Sequence, residues 1–430
     1  MKRIAALLTA ACLLAGCSAG GQTGTPAALA QAPAAPAAQT LRVSCDAPDP
    51  SALRTALTRY GEDQGVTIEW VDDAASADLA LLSGLPDGDG WQNLADQPLL
   101  AAAAERAGYD TSGGVTALPL GRSLYAYWAN GDLLTALLGD TGLADLQNAS
   151  WNEWKNFVLS VSGWLVAPTT IPMTLNGNSY SMPQDRPEAA ANLEGVFAIG
   201  GGDAVAAWGG PLYTSALLAA GSQHTEATLS GPLGGIYNAL TLELTNTAAS
   251  TTQTQAEAAA AVADGKALFV RASLADLTAQ LGVDAVQKLV PVPVKCYYVS
   301  GDLSSQEYNL TGLMNYPTLA CAGYLAIPSG SANVEGAVSA ILWLYSSGSS
   351  VLTDELLLLT PWNTASDTTT LGALQIQVVS TGILPESALT VSQNQTLAAA
   401  GRKLADTDPA SYSEWVRSVF ADSALSALAG

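Results

Sequence analysis

The chain has 430 residues, of which 38 are acidic and 16 basic, giving a formal net charge of −22 at pH 7. So acidic a surface repels nucleic-acid phosphates and anionic lipid headgroups, which makes both poor partner candidates. Hydrophobic residues make up 49% of the chain, enough to fill sizeable cores, and the length predicts two or three domains.

The N-terminus carries an export pattern. Lys2 and Arg3 precede an apolar stretch, residues 4–15, and small residues lead directly into Cys17. The pattern resembles a bacterial lipoprotein signal, which implies removal of residues 1–16 and lipidation of Cys17. Such an anchor holds the protein at the extracytoplasmic face of the cell membrane. The alternative is an ordinary secretory signal that happens to contain this cysteine.

Residues 17–40 predict a lipidated, flexible tether. After the cysteine they are small or polar and uncharged, so they cannot form a core. The root-mean-square span of such a segment is about 25 Å, enough to lift a folded body off the bilayer.

The folded body begins with a βαβ pattern. Residues 41–45 predict a strand, and a helix starts at residues 49–50 and ends at Gly65. Residues 66–71 and 77–82 predict two further strands. The last of these is uniformly apolar, which is typical of a strand buried on both faces. The spacing indicates a parallel sheet.

Polar and aromatic residues follow these strands. Asp46 comes directly after the first strand, and the loop 83–91, which ends in Trp91, comes after the third. Because ligands of parallel sheets bind beyond the carboxyl ends of the strands, we expect both to lie beside a binding crevice. The Asp-Gly-Asp-Gly run in the loop lacks the remaining ligands of a calcium site and predicts a solvated turn.

The segments that follow carry a resemblance to a known family. They are residues 118–134 (LPLGRSLYAYWANGDLL), the Ser150–Glu153 capping box, and residues 265–270 (GKALFV), 290–293 (VPVP), 323–328 (GYLAIP) and 382–385 (GILP). In their order they resemble extracellular solute-binding proteins of the family 1 type, which serve bacterial sugar ABC importers.

The resemblance implies an α/β fold: a two-lobe periplasmic-binding-protein-like fold (type II), with parallel-sheet lobes joined by two or three hinge crossovers. It places residues 41–122 and 288–385 in lobe I, and residues 123–287 and 386–430 in lobe II. The VPVP segment would be the crossover back to lobe I.

Aromatic and polar residues in these positions are candidates for ligand binding. The chain has 10 Trp and 14 Tyr against 4 Phe, and a flat face with a polar tip suits a pocket for sugar rings and hydroxyls. The candidate ligand-binding residues are Asp46, Trp91, Arg122, Ser123, Tyr125, Trp208, Tyr213, Arg271 and Trp362. For each, strand alternation, loop punctuation or core packing is the structural alternative.

One departure from the family pattern leaves the ligand class open. Relatives often have an aromatic residue just beyond the segment that corresponds to residues 265–270, whereas this chain has Arg271 there. A ligand other than a sugar is therefore an alternative.

Metal and cofactor sites have no support in the sequence. His224 is the only histidine, which excludes a His-rich metal site or an HExxH protease. The glycine runs do not match a phosphate-binding loop, so we expect no cofactor. Three cysteines follow Cys17: Cys45, Cys296 and Cys321. The sequence allows a disulfide bridge between Cys296 and Cys321, and it equally allows all three to be buried free thiols.

The sequence thus predicts a lipid-anchored receptor, a monomer and not an enzyme. It would bind a mono- or oligosaccharide between two closing lobes and deliver it to an ABC permease in the membrane. The alternative is an exported, lipid-anchored glycoside hydrolase that uses paired carboxylates. A tethered adhesin or chaperone is a third class, for which the chain shows neither repeats nor exposed patches.

Overall fold

The computed structural model describes residues 40–46, 51–106, 114–208, 212–213, 226–248, 254–295, 318–360, 389–406 and 412–420. These ranges form two mixed sheets covered by helices, and one separate hairpin. The predicted signal, the tether before Thr40, Cys17, Cys296 and Trp362 lie outside the described residues. The lipidation site and the Cys296–Cys321 bridge therefore stay predictions.

The strands of the described ranges are β1 (Thr40–Cys45), β2 (Thr67–Val71), β3 (Leu79–Leu82), β4 (Ala117–Pro119), β5 (Arg122–Asn130), β6 (Pro172–Leu175), β7 (Asn178–Ser181), β8 (Gly195–Ala198), β9 (Ala267–Ser273), β10 (Leu289–Val292), β11 (Thr318–Cys321) and β12 (Tyr324–Ala326). The α-helices of the same ranges are α1 (Ser51–Gln64), α2 (Pro98–Arg106), α3 (Gly131–Leu138), α4 (Gly142–Asn148), α5 (Trp151–Val166), α6 (Gly201–Ala206), α7 (Glu226–Thr245), α8 (Gln255–Ala263), α9 (Leu274–Leu281), α10 (Val283–Val286), α11 (Val334–Leu344), α12 (Val391–Asp406) and α13 (Tyr412–Phe420).

The first sheet has the strand order β2-β1-β3-β12-β4. Strand β1 pairs in parallel with β2 and β3, as the βαβ pattern predicts. Strand β3 is buried along its whole length, and Gly65, at a φ of 66°, follows the last residue of α1. This sheet forms the first lobe, and in its core the rings of Tyr60 of α1 and Trp343 of α11 pack edge to face with their centroids 5.5 Å apart.

The second sheet has the order β10-β5-β9-β8, with β11 also paired to β5. Its two faces belong to different cores because side chains alternate along β5: Tyr125 and Tyr127 face one core, and Trp128 faces the other. Strands β8 and β9 run parallel, whereas β5 runs antiparallel to β9, β10 and β11. The sheet is therefore mixed rather than purely parallel.

Strands β10 and β11 correct one predicted boundary. Residues from 288 onward are predicted in lobe I, with the VPVP segment as a crossover, yet β10 and β11 both pair with β5 in the second sheet. Pro291 lies on β10, at the edge of that sheet, where a residue without an N–H group is tolerated. Pro291 thus marks an edge strand, and within the described residues the chain crosses from the second sheet to the first between Cys321 and Tyr324.

Within the described residues, three chain segments cross between the sheets side by side. The Leu120 amide donates to the Gly323 carbonyl at 2.8 Å, and the Arg122 amide donates to the Leu359 carbonyl at 2.9 Å. A Cβ atom on Gly121 would lie 3.0 Å from the Cβ of Leu358, so glycine permits this close approach. The crossovers form one hydrogen-bonded ribbon with the β4–β5 connection in the middle.

The third crossover joins the cores of the two lobes. Leu358 packs in the first lobe and Leu357 in the second, and both are completely buried. Leu357 has a φ of 53°, a left-handed conformation that costs a branched residue about 1–2 kcal/mol. The cores therefore hold this backbone in a strained state.

Candidate functional site

The candidate site lies where two sheet edges approach the crossovers. On the first sheet, the carboxyl ends of β1, β3 and β4 share an edge with the start of β12. On the second sheet, the carboxyl ends of β8 and β9 share an edge with the start of β5. Such edges are the usual ligand positions of α/β lobes.

Asp46 and Ser83 form a polar pair on the first edge. The Ser83 amide donates to Oδ1 of Asp46 at 2.7 Å, and the Ser83 hydroxyl donates to Oδ2 at 3.3 Å. Desolvation by the surrounding protein raises the pKa of Asp46, while both hydrogen bonds from Ser83 oppose this shift. The side chain remains exposed, so its carboxylate keeps lone pairs for hydroxyl groups of a ligand. Of the two residues, the sequence indicated only Asp46 as a candidate.

Trp91 is anchored on the same side of the first lobe. It forms a β-bridge with Pro328, and its indole nitrogen donates to the Asp87 carbonyl at 3.3 Å. The Gln92 amide donates to the Ile327 carbonyl at 2.8 Å, which fixes the end of the loop. The ring is half-buried, as a stacking surface at the rim of a pocket would be.

Arg122 and Ser123 lie on the central crossover but differ in exposure. Arg122 is half-buried, and no ion pair among the described residues involves its guanidinium. Ser123 is completely buried, and its hydroxyl accepts a hydrogen bond from the Ala275 amide at 2.9 Å. That bond satisfies one of the amides left unpaired at the start of α9, so Ser123 already has a structural role.

Tyr125 and Arg271 belong to a buried polar cluster on the second edge. The Arg271 guanidinium donates from Nε to both oxygens of Glu243, at 2.9 and 3.2 Å, and from Nη1 to the Tyr125 hydroxyl. The Tyr127 hydroxyl donates to Glu243 at 2.6 Å. Sequence reasoning missed Glu243 and Tyr127, because the bond to Glu243 spans 28 positions of the chain.

Opposing influences act on the ionisation of this cluster. Burial by itself lowers the pKa of Arg271, but the attraction and hydrogen bonds of Glu243 outweigh it and raise the pKa above its ordinary value. Burial raises the pKa of Tyr125. Arg271 is therefore a fixed cation whose charge is largely balanced within the protein.

Trp208 and Tyr213 lie in the core of the second lobe. Both are completely buried, and the Trp208 indole donates to the Leu397 carbonyl of α12 at 3.0 Å. Trp208 also packs against Trp415 of α13, with the ring centroids 5.3 Å apart. A ligand would reach Trp208 or Tyr213 only if the residues packed around them moved. The role of Trp208 and Tyr213 in ligand binding stays a prediction.

A separate groove lies between α5 and α7 in the second lobe. It has a volume of about 460 Å³ and contains none of the predicted ligand-binding residues. Its lining residues are Trp151, Asn152, Lys155, Leu159, Asn238, Thr241, Leu242 and Thr245.

The described ranges hold neither a cluster of metal-ligating side chains nor a membrane-spanning helix. They contain no group of three or more His, Cys, Asp or Glu side chains placed to hold a metal ion. In the same part of the chain, no helix is both long and apolar enough to cross a membrane.

Comparison with known proteins rests on structure, since no family model and no curated protein matches the sequence. The maltose-bound MalE3 of T. maritima is similar with a TM-score of 0.57 at 11% identity, covering 91% of this chain and 100% of that one. A sugar transporter of Bacillus licheniformis in complex with stachyose has a TM-score of 0.54 at 13% identity, covering 88% and 98%. An ABC transporter solute-binding protein of Agrobacterium radiobacter K84 in complex with ribitol has a TM-score of 0.54 at 13% identity, covering 91% and 98%. These similarities confirm the predicted two-lobe, periplasmic-binding-protein-like fold.

Proposed function

We propose that this chain is the solute-binding receptor of an ABC importer and encloses a mono- or oligosaccharide between its lobes. One observation carries the proposal: in each sheet, the edge where ligands of α/β lobes usually bind lies beside the ribbon of three crossovers. The fold is shared with proteins bound to maltose, stachyose and ribitol. Ligand contacts to both edges would favour a closed arrangement of the lobes.

The residues on the edges have the chemistry that a sugar requires. The Asp46 carboxylate accepts hydrogen bonds from hydroxyls, and the Trp91 ring offers an apolar face to the C–H side of a sugar. Arg122 adds donors at the base of the crevice. On the second edge, Tyr125 and Arg271 supply a polar wall with a balanced charge. Trp362 completes the proposed set.

The proposed function includes no chemical step. Binding and release require a hinge motion, and the receptor passes its ligand unchanged to the permease. A lipid anchor on Cys17 would keep a monomeric receptor at the extracytoplasmic face of the membrane, within reach of that permease.

A thermal-shift screen tests the proposal. The full-length protein in detergent is mixed with maltose, stachyose, ribitol, amino acids or short peptides. We expect a saturable rise in Tm with a sugar or polyol, because a ligand that binds only the folded state stabilises it. Asp46→Ala should reduce the rise, whereas Asp63→Ala, an exposed carboxylate on α1, should not.

A flat screen with folded protein would contradict the receptor proposal. Release of free sugar from a glycoside, lost on replacing one carboxylate, would instead establish the hydrolase. A rise with amino acids or peptides alone would overturn the sugar assignment but keep the receptor.

A further inference from the structure

A short hydrogen-bonded bridge connects the loop after β3 to the start of α12. The Leu85 amide donates to the Leu389 carbonyl at 2.7 Å, and the Val391 amide donates to the Leu85 carbonyl at 2.9 Å. Further along α12, Leu397 and Leu404 pack in the core of the second lobe. The bridge therefore spans the two lobes at a point separate from the three crossovers.

Asp87 closes this bridge with its side chain. Its Oδ2 accepts the Ser392 amide hydrogen at 2.9 Å, and its Oδ1 accepts the Ser392 hydroxyl hydrogen at 2.8 Å. Ser392 lies in the first turn of α12, where amides have no partner within the helix. A carboxylate at this end also interacts favourably with the helix dipole. An acidic residue of one lobe thus caps a 16-residue helix of the other.

The loop 83–91 also positions two residues of the candidate site, Asp46 and Trp91. The Trp91 indole donates to the main-chain carbonyl of Asp87 at 3.3 Å. Ser83 donates to Asp46, and its own carbonyl accepts a hydrogen bond from the Asn394 side chain of α12 at 2.7 Å. The first turns of α12 therefore contact the loop that supports Asp46 and Trp91 at its first residue, Ser83, and at Asp87.

Close packing leaves little freedom for the bridge to slide. A Cβ atom on Gly84 would lie 2.4 Å from the Leu389 carbonyl oxygen, so only glycine allows this approach. Displacement of α12 relative to the first lobe would consequently shift the loop.

From this geometry we propose that Asp87 is a positioning residue for ligand binding. It touches no ligand itself; by capping α12 it holds the loop 83–91 so that Asp46 and Trp91 face the crevice in a fixed arrangement. The proposal rests on the proposed receptor function and adds a lobe-spanning contact that sets ligand affinity.

The test compares Asp87→Ala with a matched control. Glu257 likewise accepts an amide and a hydroxyl hydrogen, from Thr254 at 2.8 and 3.0 Å, at the start of α8, but wholly within the second lobe. Both substitutions remove an exposed helix-capping carboxylate, and we expect both to lower Tm by similar amounts. Only Asp87→Ala should also alter the loop and the site.

Two readouts separate positioning from simple stabilisation. Hydrogen exchange measured without ligand should be faster at the Ser83 and Leu85 amides in Asp87→Ala and unchanged there in Glu257→Ala. Affinity for whichever of maltose, stachyose or ribitol saturates the wild type should fall about tenfold in Asp87→Ala, the loss expected when charge-assisted hydrogen bonds no longer order the site. Ser392→Thr, which keeps the amide and hydroxyl donors, should retain wild-type affinity, and Ser392→Ala should weaken binding.

The outcomes distinguish this proposal from the receptor function. Wild-type affinity and exchange in Asp87→Ala would overturn the positioning role while the receptor stands. Equal losses of affinity in Asp87→Ala and Glu257→Ala would show general destabilisation and likewise overturn it. If the wild type binds none of maltose, stachyose and ribitol, the sugar assignment fails, and exchange at Ser83 and Leu85 alone decides whether Asp87 holds the loop.

Discussion

Arg271 and Glu243 form a buried ion pair in the second lobe. The side chains are only 5% and 4% exposed, and their closest atoms are 2.9 Å apart. Arg271→Met removes both hydrogen bonds to Glu243 and leaves that carboxylate with its bond from Tyr127. A buried charge without its counter-ion is expensive, because water can no longer solvate it.

We expect Arg271→Met to lower the free energy of unfolding by about 3–5 kcal/mol, the typical cost of breaking a buried ion pair on one side. Replacing both residues, as Arg271→Met with Glu243→Leu, removes the stranded charge, so the double variant should recover most of the loss.

Urea unfolding, followed by circular dichroism and tryptophan fluorescence, measures these differences. Lys266→Met is the control, because its pair with Asp264 spans 3.9 Å between exposed side chains and should have no measurable effect. A loss below about 1 kcal/mol for Arg271→Met, or a double variant as unstable as the sum of the two single variants, would refute the reasoning.

Three further predictions follow from single residues. Burial lowers the pKa of Lys295 from 10.5 to about 7, so between pH 7 and 10.5 the unfolded chain binds more protons than the folded protein. The free energy of unfolding should therefore rise with pH in this window. Urea titrations repeated across the window measure this rise, which Lys295→Met should flatten. Leu357→Gly should change the radius of gyration in solution scattering because it relaxes a left-handed residue on a crossover, whereas Asn176→Gly, which relaxes a similar φ of 50° in a hairpin, should not. An unchanged radius for Leu357→Gly would show that the strain at this crossover does not influence the arrangement of the lobes. Tyr213→Phe should raise the free energy of unfolding by about 1 kcal/mol in urea, since among the described residues its buried hydroxyl has no hydrogen-bond partner; a loss of stability would show that the hydroxyl is paired.

Local signals in the sequence predicted much of the fold. The Ser150–Glu153 capping box is present at the start of α5, and the predicted βαβ pattern is observed as β1, α1 and the parallel strand β2. These patterns depend on neighbours within a few positions, which a single sequence contains.

Long-range pairing explains what the sequence could not predict. The partner of β10 is β5, more than a hundred positions away, and only that pairing shows that Pro291 marks an edge strand. The role of Glu243 likewise depends on its contact with Arg271, and the role of Asp87 depends on its contact with Ser392, 305 positions along the chain. Neither contact is visible in the sequence. The position of Asp46 at the edge of the first sheet was predictable because it directly follows β1, whereas the buried state of Trp208 depends on α12.

Hydrogen exchange with and without maltose, stachyose and ribitol tests the central proposal most directly. We expect one of these ligands to slow amide exchange at both edges at once, at residues 83–91 of the first lobe and around Tyr125 and Arg271 of the second. The ligand should be recovered with its mass unchanged. Protection confined to one lobe, or a ligand recovered in cleaved form, would contradict a receptor that closes over its solute.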